Sequence, residues 1–485
     1  MTTSTSPRAG SEATFFGHPR MLFNLFSVEL WERFSFYGMQ GILAYYMYYS
    51  VTDGGLGMDQ GLALSLVGAY GGGVYLSTIF GAWVADRLLG SERVLFYTAL
   101  IVMAGHIALA VLPGGLGLAV GLLLVAVGSG GVKATATSLV GSLYSPQDTR
   151  RDAGFSIFYM GVNIGALIGP LLTGLLMVEH GFHFGFGLAA IGMAVGLAVY
   201  AAGRKKLPES THHVANPLPR EQGLRYGLVF LAALAVVVAL LATGVVNPDN
   251  LANTIAMTVI AASVAYFVVI LSSKKVTGTE RRRVGAFIPL YIASAAFWAL
   301  FQQQFTFIAV YAEQRLDRSL FGWEMPPSWV QSINPVFIIV FAAVFAALWT
   351  RMGERQPSTP LKFGAALVVI GIAYLAFIPL ESLSMTPLLA LVGILLLCTW
   401  AELLLSPIGL SVATKLAPVA FTTQMIALFY LSVSLGTTLA GILAGFYTEG
   451  NEVPYFVALG GTSIALGVAL AFATPAIKPL GPGAK

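Results

Sequence analysis

The chain has 485 residues, of which 57% are hydrophobic and only 10% are charged, and its mean hydropathy is +0.80. This balance excludes an ordinary soluble domain and indicates an integral membrane protein. The net charge of +4 and the pI near 9.0 do not argue for nucleic-acid binding, because the basic residues gather in short loops between apolar runs.

Apolar runs long enough to cross a membrane follow one another along the chain. An α-helix needs about 20 mostly apolar residues to span the hydrocarbon core, whereas a barrel would show alternating strands of about 10 residues. Such alternation is absent, so we expect an all-α integral membrane protein. Fourteen spans are predicted, at residues 21–50, 61–86, 94–113, 116–144, 153–178, 183–203, 223–245, 251–273, 284–312, 328–350, 361–380, 386–413, 420–447 and 454–474.

The spans form two sets of six around a middle pair, with a basic linker on each side of that pair. We therefore predict five regions: a tail at 1–20, a six-helix bundle at 21–204, a linker with two additional helices at 205–283, a second bundle at 284–476 and a tail at 477–485. Paired halves are typical of transporters whose substrate site lies near the membrane midplane between them.

Basic residues define the orientation. Nearly all of the 26 Lys and Arg residues fall on one side of the predicted spans, and only Arg315 and Arg318 fall on the other. Because basic loops stay in the cytoplasm, we expect both termini to be cytoplasmic. The first span is too long for the core of a signal peptide, so we expect it to remain as an anchor.

The sequence shows no pattern typical of a catalytic site. Cys398 is the only cysteine, which excludes an internal disulfide and a cysteine-based metal site. No nucleophile lies in a pattern with a base, no metal-ligand spacing occurs, and the longest stretch outside the predicted spans is the linker near residues 204–222. A transporter is therefore favoured over a membrane enzyme or receptor, which stay open as less favoured alternatives.

Five charged residues lie within predicted spans and away from the span ends, and they are the main functional signal. Glu29, Glu32 and Arg33 lie in the first span, Lys133 in the fourth and Glu402 in the twelfth. Each costs from about 2.5 kcal/mol upward at the bilayer centre, and such a residue is rarely kept without a role. On a helix, the three residues of the first span share one face, which we expect to line a cavity.

The predicted cavity is polarised, since Arg33 and Lys133 belong to one half of the chain and Glu402 to the other. A ligand with a carboxylate at one end and an ammonium group at the other, such as a peptide, would satisfy both sides. The alternative is a set of internal salt bridges that hold the bundle together, with Glu29 and Arg33 as an i,i+4 pair.

Five stretches of the sequence resemble motifs of the proton-dependent oligopeptide transporters, a branch of the major facilitator superfamily. ELWERFSFYG (29–38) is similar to the ExxERFxYYG motif of that family, with Phe36 in place of the first Tyr. The other four are GAWVADRLLGSER (81–93), FYMGVNIGALIGP (158–170), QSINPVFIIVFAAVFAALW (331–349) and AELLLSPIGLSVATKLAP (401–418).

The resemblance implies a fold, an activity and a location. The fold would be the major facilitator fold, with two six-helix bundles plus two additional helices, as in bacterial members. The activity would be proton-coupled import of di- and tripeptides across the bacterial inner membrane by alternating access. The proton gradient would drive it without a cofactor, and the partners would be peptides, protons and membrane lipid, with no nucleic acid and no obligatory protein partner.

The resemblance also implies roles for individual residues. Arg33 and Lys133 would hold the peptide carboxylate, and Glu402 would hold the peptide amino terminus. Glu29 and Glu32, together with Arg33, would couple transport to proton movement. The remaining pocket residues are Tyr37, Tyr75, Asn163 and Asn334, which would form hydrogen bonds with the peptide backbone, and Gln302, which would also bind the substrate.

Three departures from the family pattern affect these expectations. Gln302 stands where the family usually carries an acid, so Glu29 and Glu32, with Glu402 as a further candidate, would carry more of the proton coupling. The helix 2 histidine of animal members aligns with Gly68, and the helix 11 tryptophan with Leu428. Transport of nitrate or another small solute is the alternative within transport, although Glu402 would repel a purely anionic ligand.

Overall fold

The computed structural model describes residues 14–145 and 147–477, and nearly all of this part of the chain is helical. Most of the two predicted tails, including Arg8, Lys478 and Lys485, lies outside the described residues. The predicted all-α membrane architecture is confirmed for the rest of the chain, which is a multi-pass membrane protein.

Each predicted span corresponds to a helix or a pair of helices. The helix bounds are α1 Met21–Tyr48, α2 Gln60–Val84, α3 Ser91–Val111, α4 Gly114–Ser142, α5 Arg151–His180, α6 Phe182–Gly203, α7 Arg220–Ala242, α8 Leu251–Ser272, α9 Gly278–Phe301, α10 Phe307–Gln314, α11 Ile333–Met352, α12 Thr359–Leu375, α13 Leu388–Leu416, α14 Thr422–Ala444 and α15 Glu452–Ile477.

Within the described ranges, thirteen helical segments are long and apolar enough to cross a membrane, and α9 and α10 together form one of them. The first helix, α1, is 28 residues long but carries Glu29, Glu32 and Arg33 near its middle. It packs between α5 and α6, and with it the spans number fourteen, as the sequence predicts.

Helices dominate because a backbone in the hydrocarbon core must satisfy its own hydrogen bonds. Local signals mark where some of them begin. The Asp59 side chain accepts a hydrogen bond of 3.0 Å from the Leu62 amide at the start of α2. Thr277 and Glu280 form a capping box at the start of α9, which satisfies amides that the helix itself leaves free.

Two short antiparallel hairpins are the strands of the described chain. In the first, β1 (Thr14–Phe15) pairs with β2 (His18–Pro19) directly before α1. In the second, β3 (Ser319–Leu320) pairs with β4 (Trp323–Glu324) between α10 and α11. The first hairpin lies within the predicted tail at 1–20, so the end of that tail has a defined structure.

The helices pack mainly within each half of the chain. In the first half, α1 packs on α5 and α6, and α4 packs on α2 and α3; in the second, α12 packs on α13 and α15, and α9 packs on α14. The halves meet where α2 contacts α14 and where α5 contacts α11. The middle-pair helix α8 lies against α14 and α2, so it covers one of these two seams.

The halves contact each other closely on the side that carries Arg315. A Cβ atom added to Gly68 of α2 would lie 2.6 Å from the Gly441 Cα atom of α14, so only glycine permits this approach. On the same side, the Tyr45 hydroxyl of α1 donates a 2.9 Å hydrogen bond to the Ala309 carbonyl of α10. These contacts hold the halves together at the end opposite to the basic loops.

The predicted span at 284–312 is not one continuous helix. It breaks after α9 into a 3₁₀ turn at Gln302–Phe305, and Thr306 has non-helical dihedrals (φ −122°, ψ −92°) before α10 begins. No Pro or Gly lies in this break, so it depends on tertiary contacts. The Thr306 hydroxyl donates a 3.0 Å hydrogen bond to the Ala440 carbonyl of α14, and the Phe305 ring stacks on Tyr37.

Candidate substrate and proton site

The candidate site is centred on the charged face of α1. Arg33 Nε donates a 2.8 Å hydrogen bond to Glu29 Oε1, one helical turn away, and lies 3.0 Å from Glu32 Oε2. All three side chains are buried, with exposed fractions of 5% or less. One guanidinium group therefore serves two carboxylates, and the trio carries one net negative charge when all three groups are ionised.

The helix α4 adds two polar side chains opposite this face. Ser129, which is fully buried, donates a 2.8 Å hydrogen bond to Glu32 Oε1. One turn later, Lys133 Nζ lies 5.4 Å from the centroid of the Phe36 ring and 5.6 Å from that of Tyr75. No hydrogen bond or ion pair joins the Lys133 ammonium group to any described residue.

Aromatic rings surround the two cations. The Arg33 Cζ atom lies 5.7 Å from the centroid of the same Phe36 ring that Lys133 contacts. Tyr37 contacts Phe36 edge-on at 5.3 Å between centroids, and it stacks on Phe305 at 5.9 Å with an interplanar angle of 19°. Through that stack, α1 of the first half touches the break between α9 and α10 of the second.

The second half contributes a carboxylate held by neutral groups. The Asn334 amide of α11 donates hydrogen bonds of 3.0 Å both to Glu402 Oε2 and to Thr399 Oγ1 on α13. Thr399 is fully buried and also donates to the Leu395 carbonyl. Within residues 14–145 and 147–477, Glu402 has no salt-bridge partner.

The structure brings most of the predicted site residues into three contacting groups. The first is the ion cluster Glu29, Glu32 and Arg33; the second is Lys133 with Tyr75; and the third is Asn334 with Glu402. Tyr37 lies on the α1 face between the halves, in stacking contact with the break after α9.

Asn163 and Gln302 stand apart from these groups. The Asn163 amide donates to the Tyr159 carbonyl of its own helix at 3.0 Å. Gln302 begins the 3₁₀ turn, is half-buried, and makes no side-chain hydrogen bond within the described chain. Its neighbour Gln303 is fully buried, donates to the Ala299 carbonyl at 3.0 Å and accepts a hydrogen bond from the Tyr455 hydroxyl.

Sequence reasoning missed Ser129 and Thr399, the hydroxyls that bind Glu32 and Asn334. A serine or threonine in an apolar run carries no charge signal, and most such hydroxyls bond to their own helix. The helical period is a signal that could have found them, because Ser129 lies one turn before Lys133 and Thr399 lies three residues before Glu402. Among the described residues, no group of His, Cys, Asp and Glu side chains is arranged to hold a metal ion.

Comparisons with known proteins agree on one family. A sequence model of the POT family matches residues 92–462. The chain is 42% identical over 471 residues to the uncharacterized transporter YclF of Bacillus subtilis (strain 168), with 96% of this chain and 95% of that one covered. It is 40% identical over 478 residues to a di-/tripeptide transporter of Lactococcus lactis subsp. cremoris, with coverage of 95% and 96%.

A solved structure has the same architecture. The crystal structure of a peptide transporter POT in complex with sulfate superposes with a TM-score of 0.94 at 43% sequence identity. The alignment covers 97% of this chain and 98% of that one.

Proposed function

This chain belongs to the POT family, and we propose that it is a proton-coupled symporter that imports di- and tripeptides by alternating access. The di-/tripeptide transporter of Lactococcus lactis, which is similar along nearly its whole length, supports the substrate class. The observation that carries the proposal is the uneven pairing of charges: Arg33 binds two carboxylates, whereas Lys133 and Glu402 each lack an ionic partner among the described residues.

We propose that the ligand supplies those missing partners. The peptide carboxylate would bind the Lys133 ammonium group and then Arg33, and the peptide amino terminus would bind Glu402. A charged group in a low-dielectric site gains most from a partner of opposite sign, because water does not compensate it there. A zwitterionic peptide therefore fits the site better than nitrate, which would leave Glu402 uncompensated.

Neutral groups would hold the peptide backbone. We assign this role to Tyr37, Tyr75, Asn163, Gln302 and Asn334. The backbone is common to all short peptides. Recognition through these groups would therefore discriminate little between peptide side chains, and peptides of many sequences would bind.

Proton coupling would follow from competition for Arg33. Two carboxylates already occupy its guanidinium group, at 2.8 Å and 3.0 Å. Protonation of Glu29 or Glu32 would remove one of these competitors and free Arg33 for the peptide carboxylate. Peptide binding and protonation would then favour each other to the same degree, as linkage requires.

Gln302 concentrates this coupling on α1. Its amide cannot titrate, so the position where related transporters usually carry an acid contributes no proton here. We propose that Glu29 and Glu32 carry the coupling and that Gln302 only donates or accepts hydrogen bonds.

We place the protein in the bacterial inner membrane with its basic loops in the cytoplasm. Residues 21–204 and 284–476 would be the two bundles that rock about the site, joined by the segment 205–283 with its two additional helices. The proton gradient would supply the energy, and no cofactor would be needed.

The test is uptake of a labelled dipeptide by proteoliposomes under an imposed pH gradient. We expect the labelled dipeptide to accumulate only when the gradient is imposed. Unlabelled tripeptides should inhibit this uptake by competition, and nitrate should not. Uptake that nitrate competes would favour an anion carrier instead. Absence of gradient-dependent accumulation with a panel of dipeptides would refute the proposal.

A further inference from the structure

We propose that Phe36 is a positioning residue that keeps the Lys133 ammonium group available to the substrate carboxylate. This inference rests on the proposed function, because it concerns how the peptide-binding cation is held before a peptide arrives. Phe36 is 5% exposed and lies on the same face of α1 as Arg33. Among the described residues, its ring is the one aromatic ring over which both cations lie.

The geometry around Lys133 is that of an aromatic cage. Its Nζ atom is 5.4 Å from the Phe36 centroid and 5.6 Å from the Tyr75 centroid, both within the range in which a ring attracts a cation. The Phe36 ring is itself supported by Tyr70, at 6.1 Å and 30° between planes, and by the edge contact with Tyr37. The ring therefore has little freedom to leave the ammonium group.

An aromatic ring holds a cation in a way that a carboxylate cannot. A carboxylate partner neutralises the charge, whereas a ring face attracts the cation electrostatically and leaves its full charge for another ligand. Arg33 has two carboxylate partners in addition to its contact with the Phe36 ring, whereas the direct partners of the Lys133 ammonium group among the described residues are two rings. Lys133 is thus the cation that meets the peptide carboxylate first.

The ring also limits where the ammonium group can move. Glu29 and Glu32 carry more negative charge than Arg33 balances, so a mobile Lys133 side chain would be drawn to them. Pairing there would occupy the cation and weaken its attraction for a ligand. By attracting Lys133 to a neutral surface, Phe36 opposes that pairing.

The substitution of Phe for the usual Tyr of the family motif fits this role. What holds the ammonium group is the ring face, and phenylalanine supplies that face without a hydroxyl group that would offer the cation an oxygen. We therefore expect Phe36→Tyr to keep the affinity for dipeptide and Phe36→Leu, which removes the face, to lose it.

The experiment is a series of fluorinated phenylalanines incorporated at position 36. Added fluorine atoms withdraw electron density from the ring face and weaken cation binding stepwise, while the volume of the ring changes little. Dipeptide KM and maximal rate are measured for each protein in proteoliposomes. We expect KM to rise with each fluorine, to on the order of fivefold for the trifluorinated ring, with the maximal rate unchanged.

The matched control is the same series at Phe34. This ring is 2% exposed, lies on the same helix and contacts Trp31 edge-on at 5.3 Å, and within the described chain no Lys or Arg lies over it. Fluorination there tests the effect of the label on folding alone, and we expect a KM within about twofold of the parent, a small change on the scale of binding energies.

The outcomes separate this inference from the proposed function. If the parent protein takes up no dipeptide, the proposed function fails before any variant is made. If the parent transports dipeptide but KM is the same across the series at Phe36, the positioning role is wrong while the function stands. An equal loss of dipeptide affinity in Phe36→Tyr and Phe36→Leu would also overturn the positioning role. Tyrosine keeps an aromatic ring face for the ammonium group, whereas leucine has none.

Discussion

The two halves that line the candidate site hold their charges differently. In the first half, Glu29 and Glu32 share Arg33 within 3.0 Å, and Lys133 stands nearby against aromatic rings. In the second half, the neutral Asn334 amide is the one hydrogen-bond partner of the Glu402 side chain among the described residues. The first arrangement can exchange partners when a proton or a ligand arrives, whereas the second keeps one carboxylate in a fixed position.

This difference suggests a division of labour. Charges that compete for one partner form a switch, since neutralising one of them changes what the others bind. A carboxylate with a fixed hydrogen-bond donor is suited to hold one end of a ligand. The first half would therefore respond to protonation, and the second would bind the peptide amino terminus.

The largest effect is expected from Arg33→Gln. This change leaves two buried carboxylates without their cation, which costs about 3–5 kcal/mol when one partner of a buried pair is removed. Uptake should fall below detection and the thermal unfolding temperature in detergent should drop. Arg33→Lys, which keeps the charge, is the control and should recover part of the stability. Uptake at the parent rate in Arg33→Gln would show that the switch does not involve this residue.

Lys133→Ala should abolish uptake with a smaller effect on stability. No carboxylate among the described residues forms a hydrogen bond or ion pair with Lys133, so its removal breaks no direct pair, whereas removal of Arg33 breaks two. We expect uptake to fall at least about tenfold, equivalent to about 1.4 kcal/mol of lost ligand attraction, with less destabilisation than in Arg33→Gln. Equal destabilisation in the two variants, with uptake retained in Lys133→Ala, would instead favour a purely structural salt-bridge network.

Glu402→Gln should alter recognition of one end of the peptide. The amide is nearly isosteric but carries no charge, so the peptide ammonium group would lose its partner and KM would rise about tenfold. An N-acetylated dipeptide, which lacks the ammonium group, should lose little further affinity in this variant. Equal losses for the free and acetylated peptides would show that Glu402 does not bind the amino terminus.

Thr399→Val should have the smallest effect. It removes one of the two hydrogen bonds that orient Asn334, and a single neutral bond is worth about 1 kcal/mol. We expect a KM increase of about threefold with the maximal rate unchanged. An effect as large as that of Glu402→Gln would mean that Thr399 contacts the ligand itself.

The charged residues of the site could be identified from the sequence, but the hydroxyl groups of Ser129 and Thr399 that bind Glu32 and Asn334 were missed. The helical period alone places Glu29 and Arg33 one turn apart, and their 2.8 Å contact agrees with the i,i+4 expectation. The sequence alone does not show whether Glu29 and Glu32 pair with Arg33 or with Lys133, because that depends on how α4 is rotated against α1. The structure pairs both with Arg33 and leaves Lys133 to Phe36 and Tyr75.

The break after α9 shows the same limit for the fold. The stretch 284–312 is apolar apart from its glutamines, Ser294 and Thr306, and it contains no Pro or Gly at the break. The interruption at Gln302–Phe305 rests on contacts with α14 and α1, which a single sequence does not reveal. The Ser129 hydroxyl was missed for the same reason. Only its partner on another helix distinguishes it from a hydroxyl that bonds to its own helix.

The central claim, that Glu29 and Glu32 compete with the peptide for Arg33 under proton control, is tested most directly by comparing two transport modes in Glu32→Gln proteoliposomes. Proton-driven uptake requires the carboxylate to titrate, whereas peptide counterflow requires no net proton movement. We predict that proton-driven uptake falls at least about tenfold, while counterflow stays near the parent rate. Proton-driven uptake as fast as in the parent protein would contradict the claim.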